Sequence, residues 1–281
     1  SLAAGRNIFL PIKEMADAAR SISENNMNVR LNVSDSKNEL KGLAMTFNEM
    51  MDRIADGYNR QKQFVSDVSH ELRTPIAVLQ GYIDMLNRWG KNDKEVLQES
   101  IDALKNETEN MKDLVENLLF LARNDRGTLA LQKERFSLTG LLKETIKETV
   151  IIDKNHKVSC NINDGIEVYA DRNRIKQAVR IFLDNAIKYT PDGGEITVNL
   201  TAERRNVIIE IADTGIGMTE EEMKHIFDRF YRSDKSRRRE KGGHGLGLTI
   251  AKIIILSHGG KINVRSKPAE GTRIRVFLPK A

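Results

Sequence analysis

Phe64-Val65-Ser66-Asp67-Val68-Ser69-His70-Glu71-Leu72-Arg73-Thr74-Pro75 lies inside the most regular pattern of the chain. Val65, Val68, Leu72, Ile76, Leu79, Ile83 and Leu86 recur every three or four residues, which is the period of one helix face. A matching stripe returns at Leu97, Ile101, Leu104, Thr108, Met111, Val115, Leu118 and Ala122. Between the two, Trp89-Gly90-Lys91-Asn92-Asp93 reads as a turn. Residues 58–126 are therefore expected to form a helical hairpin, closed by Asn124-Asp125-Arg126-Gly127. A seam this long and regular suggests a four-helix bundle made by two chains. His70 falls about half a turn away from the apolar stripe, and Arg73 and Thr74 share its surface. Pro75 cannot bond the carbonyl of Glu71, and the helix should bend about one turn from the histidine. Stability alone explains such a proline poorly.

On the N-terminal side, residues 1–57 hold two short helical patterns. Ile12, Met15, Ala19 and Ile22 form the first, with Pro11 at its start, where a missing N–H is tolerated. Leu40, Leu43, Phe47, Met50 and Ile54 form the second, again with coiled-coil spacing. The polar connector, residues 24–38, has Val29, Leu31 and Val33 as its apolar anchors. Helices this short need a partner for their seams, most simply a second copy of the chain. Leu2-Ala3-Ala4 and Ile8-Phe9-Leu10 around Arg6 fit the inner end of a membrane helix preceding the chain, or a plain helix start.

Beyond the hairpin the pattern becomes mixed. Leu138–Ile152 and Arg172–Tyr189 read as helices, the second N-capped by Asp171. Strands are expected at Val158–Asn161, Ile196–Leu200, Val207–Ala212, Lys261–Ser266 and Arg273–Leu278, with helices near Glu220–Ile226 and Gly247–Ser257. Short turns at 204–206 and 268–271 argue for antiparallel pairing with helices on one face.

Composition bounds the function. The chain has 281 residues, 45 Lys+Arg against 40 Asp+Glu, and a net charge of +5. The charges are interleaved, which argues against a nucleic-acid partner. The one dense basic run, residues 235–241, adjoins a glycine-rich stretch and reads as part of a solvated lid. A single cysteine, Cys160, excludes a disulfide framework and a cysteine-based zinc site. No run of 18 apolar residues is present. His156, His225 and His258 match no metal spacing and read as surface or turn residues.

Four constellations carry chemistry. The first is His70 with its neighbours: a neutral imidazole keeps one free lone pair. The second is Asp184-Asn185-Ala186-Ile187-Lys188-Tyr189, where Asn185, Lys188 and Tyr189 share one helix face. The third, Asp213-Thr214-Gly215-Ile216-Gly217, places a carboxylate at a strand end beside backbone without side chains, which suits a base amine. The fourth, Gly242-Gly243-His244-Gly245-Leu246-Gly247-Leu248, opens a helix and offers backbone N–H groups to an anion. Between the last two lies Ile226-Phe227-Asp228-Arg229-Phe230-Tyr231-Arg232. Each of these has a plainer reading as an ordinary helix end, turn or surface.

Taken together, these segments resemble the H, N, G1, F and G2 boxes of the sensor histidine kinases, in that family's order. Walker-A and His-Arg-Asp patterns are absent from the sequence, so P-loop and Ser/Thr-kinase readings fall. The resemblance implies all-α coiled-coil bundles followed by an α+β Bergerat-type ATP-binding sandwich. It implies a HAMP linker at 1–57, a dimerisation and histidine-phosphotransfer hairpin at 58–126, and an ATP-binding domain at 127–281. Catalytic roles fall to His70 as nucleophile, Glu71 as holder of the imidazole proton, and Thr74 in the reverse dephosphorylation. Asn185 is expected to bind Mg²⁺, and Lys188 and Tyr189 to contact the nucleotide. Asp213 would accept from adenine, and Gly215 and Gly217 would shape the base pocket. Gly243, Gly245, Leu246 and Gly247 would wrap the phosphates of ATP, with Arg232 reaching the γ-phosphate. Two positions depart from the pattern: Ile181 stands where many members carry a second asparagine, and His244 where Thr or Ser is usual. The implied partners are a second copy of the chain and a response regulator. The implied location is the cytoplasmic portion of a cell-membrane protein, attached through a missing N-terminal transmembrane segment. A dimeric ATPase of the gyrase or Hsp90 type, a non-catalytic scaffold, and a phosphatase-dominated form remain the rival readings.

Overall fold

The computed structural model describes residues 16–17, 20, 29–31, 38–90, 93–233 and 243–280. Most of the expected first helix, the 91–92 turn residues and the basic run at 235–241 lie outside these. The chain divides into two compact units, residues 1–76 and 77–281.

In the first unit the dominant element is α1, Asn38–Met85, which continues into the second unit. It runs without a break through the expected boundary at 57/58 and through Pro75. Its buried face is Ala44, Met51 and Ala55. Residues 29–31 of the connector bond to α1 beside this face. Leu31 N–H donates to Asn48 Oδ1 (2.9 Å), Asn48 Nδ2 returns a bond to Leu31 O (3.1 Å), and Arg30 pairs with Asp52 (2.6 Å). Leu43, Met50, Ile54 and Val65 stay exposed in the single chain.

The second unit begins with the end of α1, which closes in a π-helical turn, Leu86–Gly90. Helix α2, Lys94–Asp125, follows, and Asp93 caps it by accepting from the Glu95 and Val96 N–H groups. The remaining elements, in chain order, are β1 Glu134–Ser137, α3 Leu138–Ile152, β2 Lys157–Ile162, β3 Glu167–Ala170, α4 Arg172–Tyr189, β4 Glu195–Ala202, β5 Asn206–Asp213, α5 Glu220–His225, α6 Gly247–Ser257, β6 Lys261–Lys267 and β7 Gly271–Pro279.

The main sheet has the order β2-β4-β5-β7-β6. One face carries Ile196, Val198, Leu200, Val207, Ile209, Ile211, Val276 and Leu278, all buried. This alternation is what a sheet covered on one side requires. The covering layer is α3, α4 and α6, whose Leu141, Leu142, Ile175, Phe182, Leu183, Ile250 and Ile254 complete the core. Burying such side chains supplies about 25 cal/mol per Å² of apolar surface. Across α3 and α4, Glu144 and Glu148 bind Arg172, Lys176 and Arg180 at 2.6–2.8 Å.

The expected antiparallel pairing holds only in part. The sheet is not wholly antiparallel: β2 pairs parallel with β4, because β3 and α4 intervene as a crossover. A second sheet, β1 with β3, was not expected from the sequence. It is only four residues per strand, too short for a clear period. Its register, Phe136 opposite Val168, ties the segment after α2 to the strand before α4.

Candidate functional site

On α1, within the first unit, His70 is exposed, as are Arg73 and Thr74, while Glu71 is half-buried and Pro75 buried. The histidine therefore sits open to solvent on a helix whose Glu71 carbonyl lacks its usual donor at Pro75. An exposed imidazole on rigid backbone can present a ring nitrogen to an incoming electrophile.

The second unit contains a cavity of about 600 Å³, enough for a nucleotide-sized ligand. Asn185, Lys188, Tyr189, Asp213, Gly217, Arg232, Gly243, Gly245 and Gly247 all line it. Residues from four separated stretches of sequence thus converge. Gly215 and Leu246 stand behind the wall instead, both buried. A side chain on Gly215 would collide with Tyr189 O and lie 2.7 Å from Asp213 Oδ1. Leu246 sits at the start of α6 and offers no capping side chain. The first N–H groups of that helix are thereby left for a ligand in the cavity.

One end of the cavity is apolar around a single acceptor, with Ile211, Ile216, Met218 and Ile274 in its wall. Asp213 Oδ1 accepts from Gly215 N–H (2.9 Å) and Thr272 N–H (3.2 Å). Its Oδ2 has no partner among the described residues. Burial pushes the Asp213 carboxyl above the usual carboxylate range, and the two backbone donors oppose that push. A held acceptor in an apolar slot suits the exocyclic amine of a base. Thr272, on β7, was not a sequence-level candidate, and nothing local marks it.

The other end gathers positive charge. Burial, then the nearby Arg232, holds Lys188 below the ordinary lysine value. Two cations kept close favour an anion. The glycine loop approaches closely: a Cβ on Gly243 would lie 3.9 Å from Lys188 Nζ. Gly245 has φ +71°, and a Cβ there would lie 2.7 Å from the Phe230 carbonyl carbon. Phe230 itself adopts φ +60°, and its N–H donates to Gly245 O (3.1 Å). The loop and the Ile226–Arg232 segment therefore constrain one another through backbone.

Asn185 Nδ2 donates to Ile181 O at 2.7 Å, which leaves Oδ1 as the atom able to bind a cation. No cluster of three His, Cys, Asp or Glu suitable for a metal exists among the described residues. A lone protein oxygen fits Mg²⁺ that takes its other ligands from phosphates and water, not an all-protein cage. Asp184, also on the wall, is pushed upward by burial, with Arg180 opposing.

Helix α2 reaches this cavity as well. It packs on α6. Phe120 lies under the Arg174 guanidinium, 5.0 Å from ring centre to Cζ. Asp125 takes both Arg229 nitrogens at 2.6 and 2.9 Å. Asn110 of α2 lines the cavity wall, which no sequence signal suggested.

Of the three histidines read as surface or turn residues, two lie at turns with enclosed side chains. His156 and His258 are both largely enclosed. His225 is half exposed, between Asp228 and Glu221.

Comparison with known proteins gives three matching family models. These are the HAMP domain over residues 3–56, the His Kinase A (phospho-acceptor) domain over 60–127, and the histidine kinase-, DNA gyrase B- and HSP90-like ATPase over 170–281. The signal transduction histidine-protein kinase ArlS of Staphylococcus aureus is 36% identical over 272 residues, covering 96% of this chain and 60% of the relative. The chain thus spans about three fifths of the length of that curated relative. The histidine kinase AdeS of Acinetobacter baumannii shares the fold, with a TM-score of 0.59 and 24% identity over 75% of this chain and 98% of the other. The histidine kinase ThkA, solved in complex with the response regulator protein TrrA, gives a TM-score of 0.62 at 25% identity, over 82% of this chain and 66% of that one.

Proposed function

We infer what this chain does from one premise that the family matches establish: it belongs to the sensor histidine kinases. We propose that it binds Mg-ATP in the cavity of the second unit and phosphorylates its own His70. The adenine amine bonds Asp213 Oδ2, and Gly215 and Gly217 keep the base slot clear. Lys188, Arg232 and the N-terminus of α6 hold the phosphates, with Tyr189 beside them. Asn185 Oδ1 would hold the Mg²⁺ taken up with the nucleotide, which would supply charge to offset the phosphates.

In the transfer, an imidazole nitrogen of His70 forms a bond to the γ-phosphorus. The bond from that phosphorus to the β,γ-bridging oxygen breaks, and ADP leaves with the electron pair. Glu71 holds the proton on the other ring nitrogen and so fixes the tautomer. The phosphoryl group then passes to an aspartate of a response regulator, and Thr74 serves the reverse dephosphorylation of that regulator.

The observation that carries this reading is the pairing of an exposed His70 in Ser-His-Glu-Leu-Arg-Thr-Pro with a cavity that joins a held carboxylate to a cationic, glycine-lined end. A homodimer is supported by apolar side chains left in water: Val65, Ile76, Ile83, Ile101 and Val115 are exposed in the single chain. Attachment to a membrane through a segment preceding residue 1 is part of the same proposal.

The test is phosphopeptide mapping after incubation with Mg-ATP, with digestion kept alkaline. The expected result is phosphate on the peptide containing His70. Steady release of inorganic phosphate with no phosphopeptide would instead favour a dimeric ATPase.

A further inference from the structure

We propose that Asn110 of α2 contacts the bound nucleotide, supplying from the hairpin the second side-chain amide of the phosphate end. This rests on the reading of the cavity as an Mg-ATP site. The cavity wall carries only two side-chain amides among the described residues, Asn185 and Asn110. Asn185 has committed its Nδ2 to Ile181 O, so it offers one oxygen. One turn earlier on the same face of α4 stands Ile181, which lines the cavity and offers no polar atom from its side chain. The amide that could serve that end comes from another helix.

Asn110 is placed to do this. Its Nδ2 makes one long bond, 3.3 Å, to Glu107 Oε2 on its own helix, and its Oδ1 has no partner among the described residues. Helix α2 packs on α6, the helix whose N-terminus opens at Gly247 on the glycine-loop end. At that same end, a Cβ on Gly247 would lie 3.3 Å from Ile181 Cγ2. Further along α2, the Phe120–Arg174 contact and the Asp125–Arg229 pair fix the helix against the domain. An amide presented from a docked helix binds without much ordering cost. Nucleotide affinity would then depend on α2 being docked, since the contact disappears when α2 leaves.

The test uses the full chain carrying His70→Gln, so that bound ATP is not consumed. Mg-ATP affinity is measured by calorimetry for this parent, for Asn110→Ala, and for Asn110→Ala with Ile181→Asn. Loss of one hydrogen bond predicts about three- to tenfold weaker binding for Asn110→Ala, with the melting temperature unchanged. Placing an amide at position 181 should restore affinity to within about twofold of the parent. Parent-like binding by Asn110→Ala would overturn the proposal. So would weakening that Ile181→Asn fails to restore, which would mark a packing role. Failure of the parent itself to bind Mg-ATP would count against the functional reading, and is read separately in the first titration.

Discussion

Two buried histidines have opposite protonation needs, and the difference lies in what each ring nitrogen faces. His156 directs Nδ1 at Asp153 Oδ2 (2.8 Å) and Nε2 at Thr190 O (3.0 Å). Both partners are acceptors, so only the imidazolium satisfies both. Burial lowers its pKa, but the Thr190 carbonyl, Asp153 and Asp192 together hold it above the ordinary 6.5. Thr190 is also the C-cap of α4, where positive charge is favoured. His258 is the reverse case. Its Nδ1 faces Ile254 O (2.7 Å) and its Nε2 accepts the Asp171 N–H (2.9 Å), which requires the neutral ring. Burial, aided by Lys133, keeps its pKa below 6.5, against the pull of Ile254 O and Asp171.

The signs follow by linkage. The folded state binds an extra proton at His156, so that stabilisation is complete below pH 6.5 and fades as pH rises through the raised folded value. At His258 the folded state binds less, so stability is lost as pH falls from 6.5 toward the lowered folded value. Proton NMR titration of the two rings should place His156 above and His258 below a free histidine. His156→Gln should remove the loss of stability on the alkaline side and leave the acid-side loss.

The role proposed for Asp213 sets function against stability. Partial burial disfavours its ionised form when no ligand is bound and pushes its pKa upward. Asp213→Asn keeps an Oδ1 for Gly215 and Thr272 but turns a donor toward the base amine. The domain should melt no lower, while Mg-ATP affinity falls about ten- to a hundredfold, the worth of a charged hydrogen bond. Calorimetry and thermal denaturation on one preparation separate the two effects.

Among the elements, those with a strong local signal are legible in the sequence. Arg172–Tyr189 and Leu138–Ile152 run as expected, because a cap and an apolar face mark each. Asp171 also caps as expected, accepting from Arg174 N–H. What stays hidden depends on distant partners. The β1–β3 pair and the parallel β2–β4 pair depend on which chain segments meet, and short turns report only on the β4–β5 and β6–β7 neighbours. Likewise the cavity residues carrying a box pattern could be named in advance, whereas Thr272 and Asn110 enter only through sheet register and helix docking. Close backbone contacts give an element-scale prediction. Gly271 has φ +88°, and a Cβ there would clash with Asp213 O across the β5–β7 ladder. Gly271→Ala should cost about 2–4 kcal/mol in urea unfolding and weaken nucleotide binding by displacing Asp213. An unchanged midpoint would contradict that geometry.

For the whole molecule, the single chain is incomplete by its own pattern. Leu43, Met50, Ile54, Val65, Ile76, Ile83, Ile101 and Val115 follow the helical spacing seen in the sequence, yet they remain exposed. If a second copy covers them, the helical melting temperature should rise with protein concentration. Sedimentation should give twice the chain mass, and Ile83→Glu should lower both. A monomer whose melting does not vary with concentration would leave the stripe without that partner.

In the proposed function, the cavity of the second unit and His70 belong to one phosphoryl-transfer reaction. The direct measurement is incubation with γ-labelled Mg-ATP, comparing the unsubstituted chain with His70→Gln and Asp213→Asn. A label that is acid-labile and base-stable, abolished by His70→Gln and strongly reduced by Asp213→Asn, is the predicted result. A label that survives His70→Gln, or none on a chain shown to bind Mg-ATP, would contradict it.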